Sequence, residues 1–102
     1  MARATNEEIQ AAILKIRPTF YAGICGDPDD KEDQWLAVAV NKQGGRLEGS
    51  YDILFDGNKV NIVIDGYKEK TFKSRQDADV VAEWVVAFIE KLEADIAAVL
   101  DS

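Results

Sequence analysis

The densest set of oxygen ligands in the chain is Asp27-Pro28-Asp29-Asp30-Lys31-Glu32-Asp33, five acids against one lysine. Carboxylates this close together are raw material for a hard-cation site. A calcium loop of the EF-hand kind needs oxygen ligands at alternating positions, a glycine at the sixth and a bidentate glutamate at the twelfth. Counted from Asp27, the fifth position is Lys31, the sixth Glu32 and the twelfth Val38. The pattern fails, so the stretch reads as a solvated loop and no metal is assigned. Asp52, Asp56 and Asp65 form a looser acidic set, and one desolvated member could serve as a general acid or base. Asp56 and Asp65 precede glycines, however, where turn chemistry puts aspartate. Asp52 alternates with Tyr51 and Ile53 and belongs on the polar side of its strand.

The remaining reactive types are excluded more sharply. The chain contains no histidine and a single cysteine. That removes Ser-His-Asp and Cys-His pairs, imidazole zinc sites, and any intrachain disulfide or Cys-x-x-Cys centre. Cys25 lies just before the acidic loop, with no base or cation beside it to activate a thiol, so it reads as a small buried residue. Gly44-Gly45 lacks the spacing of a phosphate loop and does not lead into a helix. The expectation is a protein that is not an enzyme, with no catalytic residue and no cofactor.

The elements that hold these residues follow from periodicity. Thr5-Asn6-Glu7-Glu8 is a capping box, and Ile9, Ala12, Ile13 and Ile16 share a face, which predicts a helix over 5–17 ended by Pro18. Period-2 alternation predicts strands over 19–25, 34–41, 46–55, 59–65 and 67–73, separated by the 27–33 loop, Gly44-Gly45, Asp56-Gly57-Asn58 and Asp65-Gly66. Along 67–73, Lys68 and Lys70 are placed on one face with Phe72, as edge-strand lysines. Ser74-Arg75-Gln76-Asp77 is a weaker cap for a helix over 75–100. On it Ala78, Val81, Val85, Ile89, Leu92, Ile96 and Val99 form an apolar stripe opposite Asp79, Glu83, Glu90 and Asp101. Trp84 and Val86 mark its margins, and the apolar arc is wider than docking on one small sheet needs. The predicted fold is a single α+β domain over 1–102, ordered α-β-β-β-β-β-α. It is a five-stranded antiparallel meander with a short N-terminal and a long C-terminal helix on one face and the other face partly solvated.

Hydrophobic residues make up 47% of 102 residues, enough for one core, and the net charge is −7. Residues 27–33 hold five acids and one base, a net −4, and residues 74–102 hold seven and two, a net −5. Such a chain is repelled by phosphate backbones, so direct nucleic-acid binding is not expected. The absence of an apolar leader after Met1, the absence of a long apolar run and the lone thiol point to a cytoplasmic protein with no membrane association. The expected partner is a protein with a basic surface. The candidate partner-binding residues are Asp79, Glu83 and Glu90 on the long helix, Asp29 and Asp30 in the loop, and the aromatics Trp84, Trp35 and Tyr51. Trp35 and Tyr51 would form an apolar patch if both face away from the helices.

In outline the chain resembles the small acidic single-domain proteins that phages and mobile elements encode to block host machinery, some by mimicking nucleic acid. It also resembles small secretion chaperones, which bury wide apolar helix faces as dimers. The first resemblance implies an inhibitor that masks a basic surface, the second a homodimeric scaffold built on the apolar arc of the long helix. Neither rests on a motif, so no residue role is carried over from either.

Overall fold

The structure, a computed structural model, describes residues 4–41, 51–56, 59–64, 67–72 and 77–100. Helix α1 spans Asn6–Ile16, and the Thr5 hydroxyl accepts the Glu8 amide while the Glu8 carboxylate accepts the Thr5 amide. This is the predicted capping box. The sheet follows with β1 (Tyr21–Gly26), β2 (Gln34–Ala39), β3 (Tyr51–Asp56) and β4 (Lys59–Ile64), each antiparallel to the next. Tyr67–Phe72 (β5) lies antiparallel beside β4. Helix α2 then runs over Ala78–Leu100. The class is α+β with an antiparallel sheet, as alternation and capping indicate.

Several boundaries move for identifiable reasons. Strand β1 starts at Tyr21, because the Phe20 amide donates to the Arg17 carbonyl and keeps residues 18–20 in the turn that leaves α1. The cap of α2 is Asp77, whose Oδ1 accepts the amides of Asp79 and Val80 at 3.0 and 3.3 Å. An aspartate adjacent to the first helical residue closes those donors directly, so Ser74 is not needed as the cap. Beside β5 the register slips between Ile62 and Val63, pairing Lys70 with Ile62 but Lys68 with Val63. The single alternation expected along 67–73 is therefore interrupted by a bulge. The Gly44-Gly45, Gly57-Asn58 and Asp65-Gly66 turns, Ser74, Asp101 and residues 46–50 lie outside the described residues.

One cluster forms the core. Ile9 and Ile13 of α1, Val81, Val85 and Ile89 of α2, and Leu36, Val38, Ile53, Val60 and Ile62 of the sheet are all fully buried within it. The sheet members alternate along each strand, so only one sheet face contributes. The wide apolar arc of α2 has a physical explanation here. Val86, expected at a margin, is buried, and Trp84 and Phe88 pack against the cluster, because α2 meets α1 as well as the sheet. Residues buried on the other sheet face, Ala37 and Ala39, do not belong to this cluster.

The helices lie side by side and begin at the same end of the molecule. Near that end Glu8 and Lys15 of α1 and Asp77 and Asp79 of α2 line one surface hollow. Further along, Arg17 and Glu90 form a two-pronged ion pair with both contacts at 3.0 Å. Buried Asn6 donates to Gln34 at 2.9 Å, and Gln34 donates to the Asp27 carbonyl at 2.9 Å. Gln10 donates to the Ala22 carbonyl at 2.8 Å and ties α1 to β1. A 23-residue helix is about 34 Å long, whereas a six-residue strand covers about 20 Å. Helix α2 therefore outruns the sheet, and the molecule measures 46 × 24 × 24 Å. Val99, near the far end of the stripe, is 72% exposed.

Candidate functional site

The candidate residues do not form one site; the fold sorts them into three settings. The first is the end where both helices start. Gly26, with φ near +100°, closes β1 into the 27–33 loop, and a Cβ there would collide with the Asp33 carbonyl. Inside the loop Asp27 Oδ1 accepts the Asp29 amide and Asp30 Oδ1 accepts the Glu32 amide, which caps a 3-10 turn over Lys31–Asp33. These aspartates thus fold the loop while staying exposed, as do Asp29 and Glu32. Through Asn6 and Gln34 the loop is fastened beside the start of α1, which carries Glu7 and Glu8. The Thr5 amide and hydroxyl hold the Glu8 carboxyl below its ordinary pKa. The start of α2 adds Asp77 and Asp79, with Glu83 exposed one turn further on. Acids that are scattered in sequence are gathered at one end, where they outnumber Lys15 and Lys31. Among the described residues no three acidic or sulfur side chains converge as a metal-binding group.

The second setting is the far half of the helix pair. Glu90 is not a free acid there, because Arg17 neutralises it through the two-pronged bridge. Tyr51 is turned toward the helices, 3% exposed, and its hydroxyl donates to Glu93 Oε1 at 3.2 Å. Burial, with the Glu93 charge beside it, pushes the phenol well above its ordinary pKa. A hollow of about 620 Å³ opens between Arg17, Phe20, Val40 and Glu90. Its charged groups are already engaged with one another, so it serves to join the helices. Tyr51 therefore leaves the set of partner-facing candidates, and Trp84, half-buried against the core, is only partly available.

The third setting is the sheet face turned away from the helices. Trp35 lies there, paired with Cys25, and both are half-buried. Tyr21 is 44% exposed and lays its ring over Gly23, where a Cβ would strike the hydroxyl. Leu54 is 38% exposed, and Ala37 and Ala39 form the floor. Asp52 sits in the middle, opposite Ala37 on β2 and Val63 on β4. Burial raises its pKa, and it makes no hydrogen bond or ion pair among the described residues. Sequence reasoning put Asp52 on the polar side of its strand but missed that this side is largely apolar. The signal was available in Trp35, Ala37 and Ala39, which are in phase with one another and out of phase with Leu36 and Val38.

No helix among the described residues is long and apolar enough to cross a membrane. Compared with known proteins, the chain matches no family model, no curated protein and no solved structure.

Proposed function

We propose that this chain is a non-enzymatic cytoplasmic binding protein that masks a basic surface of a partner protein. The observation that carries this reading is the acidic end, where the 27–33 loop and the starts of α1 and α2 bring exposed Asp29, Asp30, Glu7 and Asp79 to the same end of the molecule. A predominantly acidic surface of this kind steers a basic partner and fixes its orientation more than it adds contact energy. In this reading the sheet is the full five-stranded meander, with Tyr67–Phe72 as its far edge and both helices on one face as a rigid support. Inhibition of the partner, by occupying a site that otherwise takes a nucleic-acid backbone, is one form the masking takes. The set of acids that acts is narrower than the helix stripe alone suggests. Asp79, Glu83, Asp29 and Asp30 are exposed, whereas Glu90 belongs to the Arg17 bridge.

The test begins with affinity capture from lysate at low and high salt, which identifies the partner by mass spectrometry. The on-rate is then measured for Asp29→Lys with Asp79→Lys and Glu83→Lys. A fall of roughly tenfold or more at low salt, shrinking as salt rises, is the expected result. An unchanged on-rate overturns the proposal. A second reading, a chaperone or homodimeric scaffold, draws on the apolar stripe that emerges at Ile96 and exposed Val99 beyond the sheet. Sedimentation showing a dimer that Val99→Lys dissociates is the result that favours it.

A further inference from the structure

Asp52 breaks the local rules of its position. It sits at mid-strand on β3, an interior strand, where β-branched and aromatic residues fit best and aspartate is among the poorest. Its cross-strand neighbours are Ala37 and Val63, and Leu54 follows on the same face. The residue is half-buried and makes no hydrogen bond or ion pair among the described residues, and burial raises its pKa. A sequence that breaks a local rule with no structural gain does so most often where it binds something. Around it lie Trp35, Tyr21 and Leu54, aromatic and aliphatic surface of the kind that anchors interfaces.

A second copy is a poor occupant. Stacking two such faces about a two-fold axis brings two central carboxylates toward each other across an apolar contact, and like charges so placed oppose association. The complementary occupant is cationic. The 27–33 loop adjoins this face at the Cys25–Trp35 pair, and two residues of strand, about 7 Å, separate that edge from the row of Asp52. A basic segment drawn in by the loop can therefore reach Asp52 without leaving the surface.

We propose that the sheet face turned away from the helices is the docking surface for a basic protein segment, which seats apolar side chains on Trp35, Tyr21 and Leu54 and one arginine or lysine head group on Asp52. This rests on the masking function proposed above and names the surface that performs it.

The probe is a ten-residue acetylated and amidated peptide alternating leucine and arginine, titrated into the isotope-labelled full chain and followed by NMR. Polylysine, which carries charge without apolar side chains, is the comparison. Amide shifts centred on Ala37, Asp52, Leu54 and Val63, with the Trp35 indole, are the expected result. Asp52→Asn should weaken the peptide about tenfold while Asp79→Lys with Glu83→Lys weakens it less. Leu54→Arg, at an exposed position, should also weaken it, and a dispersed spectrum shows that each variant is folded. Equal peptide affinity in Asp52→Asn overturns the inference. Shifts confined to Asp29, Asp30 and Asp79 with either probe overturn it and leave the masking function standing. Absence of shifts with both probes overturns the two together. A concentration-dependent dimer whose contact shifts map to this face overturns it in favour of a second copy.

Discussion

Asp52 gives the native state a pH dependence opposite to that of a salt-bridged carboxylate. Its folded pKa lies above the ordinary aspartate value near 4, so as pH rises the unfolded chain releases this proton first. The stability linked to Asp52 is greatest below pH about 4, declines as pH rises toward the folded pKa, and is level beyond it. Asp52→Asn removes that decline. Urea melts from pH 3 to 7 should show the variant gaining on the parent chain across the acid range and holding a constant lead afterwards. A gap that does not change with pH would mean that the carboxyl is fully solvated. The outward placement of Asp52 is legible from alternation with Ile53. Its desolvation is not, because that depends on Ala37 and Val63, which reach it only through strand pairing. Tyr51 shows the converse. Its phase with Ile53 and Phe55 set it on their face but left open, in sequence, which way that face turns, and the Glu93 acceptor comes from 42 residues away and has no local signal.

At the scale of elements, Gly26 and α2 carry the clearest expectations. Gly26→Ala puts a side chain on a left-handed residue and against the Asp33 carbonyl. It should cost about 1–3 kcal/mol by denaturant melting, more than an ordinary surface change. A cost below about 0.5 kcal/mol would show that the loop refolds around the new residue. Along α2 the stripe is one pattern in sequence but two environments in space. Ile89→Ala should cost about 2–5 kcal/mol, and Val99→Ala should stay within about 0.5 kcal/mol. Equal costs would mean that the far turns of α2 are covered in solution. Helix caps and strand phases were readable because they depend on residues a few positions apart. The Arg17–Glu90 bridge was not, since helix packing alone brings together residues 73 apart. It turns Glu90 from a recognition acid into a tie between helices.

For the whole molecule, the described acids of the loop and helix starts gather at one end, while Glu90 and Asp95 are paired with Arg17 and Lys91 further along. Because no three ligand side chains converge among the described residues, EDTA should leave the thermal midpoint unchanged. A drop of several degrees would instead assign an ion to the 27–33 loop. The distribution of charge by segment was legible in sequence, and so was the acidity of the loop. That the loop and both helix starts share one end was not, because it follows from the Asn6–Gln34 link and from helices that run side by side.

The side-by-side arrangement of α1 and α2 also has a kinetic consequence. Each of β1 to β4 pairs with its immediate successor, so the sheet can assemble through short loop closures. Helix α1 cannot complete its docking until α2 arrives from across the entire sheet, the costliest closure in the chain. The sheet should therefore be formed in the transition state, with φ values near 0.5–0.8 around Leu36 and Ile53 and near zero at Ile9 and Ile13. Mutations in α1 would then speed unfolding while leaving the folding rate almost untouched.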